Sequence, residues 1–137
     1  MTDSPFQRNL LVIDDDPFFC DSIQDAFRST ILEVYTASTA REGLQMCKKH
    51  NIDVVLLDEN LPDGYGHTIC PDILAANEQC KILFITAHPS FEHAVQAIRA
   101  GAHDYLLKPF ELEELQLSVK RALQMSELER TQLLQSY

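Results

Sequence analysis

Leu10-Leu11-Val12-Ile13-Asp14-Asp15-Asp16-Pro17 runs an unbroken apolar stretch into three carboxylates and a proline. An apolar run without alternation predicts a strand covered on both faces, as in the middle of a parallel sheet. Asp16-Pro17 predicts a helix start, with the aspartate as N-cap and proline at the first helical position. Phe19, Ile23, Ala26 and Phe27 then repeat at helical spacing. Buried strand, acidic turn and amphipathic helix therefore follow one another within a short span.

The same unit recurs downstream. Val54-Val55-Leu56-Leu57 and Ile82-Leu83-Phe84-Ile85 are further buried strands, whereas Leu32-Glu33-Val34-Tyr35-Thr36 alternates as an edge strand does. Tyr105-Leu106-Leu107 is a fifth, short strand. Between them, Thr39 and Glu42 have capping-box spacing, with Leu44 and Cys47 facing inward. Ile69, Ile73 and Leu74 mark a third helix that Pro71 delays or kinks. Phe91, Ala94, Val95 and Ile98 mark a fourth, stopped at Gly101. A fifth begins near Phe110 and carries Leu112, Leu115, Val119 and Ala122. Five strand–helix units predict an α/β fold, a doubly wound (βα)5 arrangement around a parallel sheet.

The 137 residues suit one domain with one core. A hydrophobic content of 45% with 23% charged residues is that of a globular chain. No apolar run approaches the ~18 residues of a membrane span, and Met1 to Arg8 lacks the layout of a signal peptide, so a cytoplasmic location with no membrane partner is expected. The formal charge of −10, with no concentrated basic patch, argues against direct binding of nucleic acid. Cys20, Cys47, Cys70 and Cys80 show neither CxxC nor metal-ligand spacing and are expected as small buried hydrophobes.

In an open α/β sheet, function gathers at the carboxyl ends of the strands. Those ends here carry Asp14-Asp15-Asp16, Asp58, Thr86-Ala87 and Lys108-Pro109. If strands one, three and four are neighbours, carboxylates, a hydroxyl and an ammonium share a pocket. Clustered carboxylates take up protons unless a cation lies among them, and a hard divalent ion such as Mg²⁺ suits a site that also holds phosphate. A carboxylate can attack phosphorus to give an acyl phosphate, and a loose transition state then calls chiefly for positive charge.

Asp14-Asp15 after an apolar strand, Asp58 followed by Leu61-Pro62-Asp63-Gly64, Thr86-Ala87, and Asp104-Tyr105-Leu106-Leu107-Lys108-Pro109-Phe110 together resemble the response-regulator receiver family over residues 8–123. The resemblance implies a flavodoxin-like five-stranded sheet of order 2-1-3-4-5. It also implies a phosphoacceptor switch of a two-component phosphorelay rather than an enzyme turning over a free metabolite. By position, Asp58 is the acceptor, Asp15 ligates Mg²⁺ directly, Asp14 acts mainly through water, and the Asn60 carbonyl completes the protein's ligands. Lys108 contacts the phosphoryl group or Asp58, aimed by a cis peptide at Pro109. Thr86 moves toward the phosphate and Tyr105 changes rotamer with it, biasing the face made by the fourth helix, fifth strand and fifth helix. Asn60 and His88 occupy positions that tune phosphate lifetime in the family. The implied partner is a histidine kinase or phosphotransfer protein, with a homodimer through that face or the extended fifth helix.

Several residues keep two readings. Asp16 serves as N-cap or takes part in the metal site. Phe18 lies off the inward stripe, so its ring is either a kinase contact or a loosely packed surface group. The five histidines share no ligand spacing and are expected on the surface or in loops. Residues 1–7 are expected as a tail and 124–137 as an extension of the fifth helix, fraying or leading into a linker. The stretch from Ile85 to Leu123 is similar to receivers of sigma-54-dependent transcription activators, which implies an N-terminal regulatory module; a stand-alone receiver is the alternative. A Mg²⁺-dependent phosphohydrolase of the haloacid-dehalogenase type is a weaker rival, because Phe18 stands where its D-x-D-x-[T/V] motif needs Thr or Val. An interaction module with an inert pocket conflicts with the intact aspartate, threonine and lysine positions.

Overall fold

The computed structural model describes residues 7–87 and 90–135. Its main elements are β1 (Arg8–Ile13), α1 (Pro17–Ala26), β2 (Leu32–Ala37), α2 (Ala40–Lys49), β3 (Val54–Asp58), α3 (Gly66–Ala76), β4 (Lys81–Thr86), α4 (Phe91–Arg99), β5 (Asp104–Leu107) and α5 (Leu112–Gln135). The five strands form one parallel sheet in the order β2-β1-β3-β4-β5. A two-residue antiparallel ladder, Asn60–Leu61 against Gly64–Tyr65, adds a small hairpin after β3 that strand periodicity did not announce.

Strand alternation divides the core into two layers. Leu11, Ile13, Val55, Leu57, Ile82 and Phe84 meet Cys47, Cys70, Ile73 and Ala97 from α2, α3 and α4. Leu10, Val12, Val54, Leu56, Leu83 and Ile85 meet Ile23, Leu115 and Val119 from α1 and α5. Each fully buried large side chain is worth roughly 1.5–3 kcal/mol of transfer free energy, so β1, β3 and β4 are the rigid centre of the molecule. All four cysteines are free and buried. The chain reverses its direction of winding at β1, which lies between β2 and β3 and therefore opens a crevice at their carboxyl ends.

Three expectations about helices need correction. On α4, Phe91 and Ile98 are 88% and 68% exposed, and Ala97 is the buried residue. The helix is therefore turned by about 100° from its apolar stripe, resting on small side chains that let its backbone approach the sheet. On α5, which starts at Leu112, Leu115, Val119 and Ala122 are buried as expected, but Leu112 is half exposed. Pro71 sits inside α3 without delaying it.

Glycine matters at the start of α3, where an added Cβ at Gly66 would lie 2.5 Å from the Asp58 carbonyl oxygen. Without it, the helix could not come this close to the end of β3. Gly101 takes φ 103° after α4, the left-handed stop that its position suggested.

Residues 124–135 continue α5, and their polar side chains are tied to the amino-terminal edge of the sheet. Arg130 Nη2 donates to Asp53 Oδ1 at 2.8 Å, Lys81 pairs with Glu129 at 2.6 Å, and Arg8 pairs with Glu127 at 3.0 Å. This segment is docked rather than fraying.

Candidate functional site: an acidic pocket at the strand ends

The pocket is built by strand order. Asp14 directly follows β1, and Asp58 ends β3, its neighbour in the sheet. The carboxylate oxygens of Asp14, Asp15 and Asp58 lie within 4.8 Å of one another. Asp14 and Asp58 are buried and Asp15 is exposed, so the cluster opens to solvent on one side. The backbone amide of Asp16 donates to Asp14 Oδ1 at 2.9 Å, which orients that carboxylate. The backbone amide of Asn60 donates to Asp58 Oδ1 at 3.2 Å.

Asp16 itself resolves to a cap. Its side chain accepts from the amides of Phe18 and Phe19 at 3.0 and 3.4 Å, at the first turn of α1. Asp16 lies outside the carboxylate cluster.

Lys108 comes from the loop after β5, across a cis peptide to Pro109. Its backbone amide donates to the Thr86 carbonyl at 2.8 Å, which fixes the loop against the end of β4. Its ammonium bonds Asp14 Oδ2 at 2.6 Å and lies 4.2 Å from the centre of the Phe19 ring. The contact present is thus with Asp14; of the two expected for Lys108, with the phosphoryl group or with Asp58, neither is the ion pair seen. The 2.6 Å ion pair is charge-assisted, and the ring face adds cation–π attraction. Phe19, read only as a core residue, also helps to hold the lysine.

One ammonium does not neutralise three carboxylates. Burial, then the Asp14 carboxylate, push the Asp58 carboxyl up from 3.8 to about 6, while the Asn60 amide and Lys108 pull it down. An acid so close to others has lone pairs to offer and little protein to receive them. Oxygen donors, one open side and excess negative charge fit a hard divalent cation such as Mg²⁺, which would be held by Asp14, Asp15 and Asp58.

Other predicted residues are dispersed around this centre. Thr86 is fully buried at the end of β4. Tyr105, in β5, is half-buried, with its hydroxyl enclosed and without a hydrogen-bond partner among the described residues. Asn60 is exposed, and Phe18 is 81% exposed beside the pocket. His88 lies outside the described residues.

Two contacts escaped sequence reasoning. Asp63 accepts from the amides of Ala40 and Arg41 at 2.8 and 3.0 Å, tying the loop after β3 to the start of α2; these bonds lower its pKa. Glu59, next to Asp58, is fully buried and meets His67 Nδ1 at 2.6 Å. His67 is therefore not a simple surface histidine, and neither is His50, whose ring stacks on Tyr35 at 4.2 Å. A glutamate one residue beyond a buried strand was the available signal.

Among the described residues, no helix is long and apolar enough to cross a membrane. The family described as the response regulator receiver domain matches residues 10–120. Regulatory protein AtoC of Escherichia coli K12 is 32% identical over 121 residues, covering 88% of this chain and 26% of AtoC. Transcriptional regulatory protein ZraR of the same strain is 34% identical over 115 residues, covering 84% and 26%. The chain thus spans about a quarter of the length of either relative. A CheY-like receiver domain protein from Methanospirillum hungatei JF-1 superposes with a TM-score of 0.86 at 29% identity, over 90% of this chain and 98% of that one. With the parallel sheet in place and the acidic cluster at its carboxyl edge, the chain belongs to the response regulator receiver domain family, the phosphoacceptor modules of two-component signalling.

Proposed function

We propose that Asp58 accepts a phosphoryl group from a histidine kinase or phosphotransfer protein, with Mg²⁺ held in the acidic pocket. The observation that carries this reading is the gathering of one carboxylate oxygen each from Asp14, Asp15 and Asp58 within 4.8 Å, an excess of acid that Lys108 only partly offsets. An Asp58 carboxylate oxygen forms the new O–P bond as the P–N bond to the donor's imidazole breaks, and the electron pair leaves with the imidazole. Bound Mg²⁺ supplies positive charge to the phosphoryl oxygens. Asp15 and Asp14 would hold the ion, the latter mainly through water, with the Asn60 carbonyl as a further oxygen donor. Lys108, now on Asp14, turns to the phosphoryl group when its charge appears. Thr86 donates to a phosphoryl oxygen, and Tyr105 moves with it.

The output is a change in protein contact, not turnover of a metabolite. Phe91, Ile98 and Leu107 expose apolar surface on α4 and β5, which supports dimerisation or partner binding through the α4-β5-α5 face; extended α5 is the alternative route. Residues 8–123 form the receiver and 124–137 begin a linker in a longer cytoplasmic transcription regulator, a reading supported by relatives more than three times as long. Such a protein reaches nucleic acid through another domain. Asn60 and His88 tune the lifetime of the acyl phosphate, and Phe18 is a kinase contact.

Incubation with a small phosphodonor and Mg²⁺ should add one phosphoryl group by mass to the wild-type chain and none to Asp58→Asn. Uptake by the variant, or none by the wild type, contradicts the assignment. Repeated turnover of small phosphate monoesters would favour a phosphohydrolase instead.

A further inference from the structure

A second buried acid follows Asp58 directly. The Glu59 amide donates to the Ile85 carbonyl at 3.3 Å, so pairing with β4 continues one residue past the end of β3. Its side chain is fully buried. One carboxylate oxygen, Oε1, accepts from His67 twice, from ring nitrogen Nδ1 at 2.6 Å and from the backbone amide at 3.4 Å. Among the described residues the other, Oε2, has no hydrogen-bond partner. A buried carboxylate with a single supporting residue is strongly destabilised if that residue leaves, so Glu59 and His67 hold each other in place.

The main chain of Glu59 carries this restraint to the acidic pocket. Its carbonyl accepts from the Gly66 amide at 2.8 Å. That carbonyl and the Asn60 N–H belong to one planar peptide unit, so fixing the oxygen fixes the direction of the N–H. The Asn60 N–H in turn donates to Asp58 Oδ1 at 3.2 Å. Glu59 is thus bonded through its amide to Ile85, through its carbonyl to Gly66 and through its side chain to His67. Gly66 and His67 form the first turn of α3.

We propose that Glu59 and His67 are a positioning pair for Asp58: they clamp the start of α3 to the end of β3 and so fix the Glu59–Asn60 peptide that orients the carboxylate for attack on phosphorus. This deepens the reading above and rests on it, because Asp58 must accept a phosphoryl group for its orientation to matter. Neither residue belongs to the carboxylate cluster, and the pair acts through the backbone. A pair that only stapled α3 to the sheet would change stability while leaving the Asn60 amide and the rate of phosphorylation as they are.

Two readings test this: amide hydrogen exchange in metal-free protein, and the initial rate of phosphoryl uptake from acetyl phosphate with saturating Mg²⁺. Glu59→Leu removes the buried charge and keeps the bulk of the side chain. It should speed exchange at Asn60 and Gly66 about tenfold relative to Leu56 in mid-strand, and slow uptake about tenfold, the usual worth of a group that orients a site residue from behind. Glu59→Gln keeps an oxygen that accepts from Nδ1–H and should restore most of both. If Glu59→Leu does not fold, His67→Ala serves, because it loses the shorter bond and should move both readings the same way. Equal acceleration at every slow amide with unchanged uptake marks a staple and overturns the proposal. So does a change in one reading without the other, or a Glu59→Gln as impaired as Glu59→Leu. Normal uptake in wild type and Glu59→Leu alike removes the pair alone, whereas a wild type that takes up no phosphoryl group removes the reading of Asp58 and this proposal with it.

Discussion

Two buried aspartates bracket the central strand β3, and they live in opposite surroundings. Asp53, just before the strand, accepts from the Asn9 amide at 2.8 Å, from Arg8 at 3.3 Å and from Arg130 at 2.8 Å. Asp58, at the other end, receives one backbone amide at 3.2 Å and faces the carboxylates of Asp14 and Asp15. The first acid is supplied with donors by the protein and has nothing left for a ligand. The second is left short of positive charge, which raises its pKa and fits the proposed role of holding a cation and a phosphoryl group. Burial alone does not mark a functional acid; the partners do.

The sharpest way to break the comparison is exchange of function. Asp58→Asn should abolish phosphoryl uptake while leaving a folded domain, and Asp53→Asn should keep uptake while destabilising the fold. The cost at Asp53 is about 2–4 kcal/mol, because two guanidinium groups lose their counter-charge and one of the two accepting oxygens becomes an NH2 that faces donors. Chemical denaturation beside phosphorylation by mass reads both effects. If Asp53→Asn cost nothing, the amino-terminal network would be ornamental.

A subtler contrast concerns pH. Folding raises the Asp58 pKa from 3.8 to about 6. Between those values the folded state holds more protons than the unfolded chain, so this group's contribution makes stability fall as pH rises through the window and stay low above it. The loss is about 3 kcal/mol in metal-free protein, and saturating Mg²⁺ should offset it. Denaturation midpoints at several pH values, with and without Mg²⁺, check this; Asp58→Asn should flatten the metal-free difference. The smallest effect belongs to Arg130→Ala, which removes one of three donors to Asp53 at a half-exposed side chain. It should cost about 1 kcal/mol and leave phosphoryl uptake unchanged.

The same contrast explains how much could be read in advance. Apolar runs at Leu10–Ile13, Val54–Leu57 and Ile82–Ile85 declare buried parallel strands, because nothing but a two-sided core tolerates them. The carboxyl ends of those strands then nominate Asp14, Asp15, Asp58 and Thr86 by topology alone. The orientation of α4 was not legible: its apolar stripe is real, but Ala97 packs against the core, so Ala94 and Val95 are half-buried and Phe91 and Ile98 face outward. Lys108 could be assigned to the pocket by motif but not to Asp14, since that choice depends on an ammonium weighing several carboxylates a few ångströms apart. The Glu59–His67 pair and the Arg130–Asp53 bond join residues 8 and 77 positions apart, and such pairings emerge only once the sheet is assembled.

The most direct measurement follows the Asp58 carboxyl carbon by NMR as pH is varied, first without metal and then with saturating Mg²⁺. The expected result is a metal-free midpoint of about 6 that moves well down when Mg²⁺ binds. A midpoint in the ordinary carboxylate range, or one indifferent to Mg²⁺, would contradict the claim that this acid is left short of charge in order to share a cation.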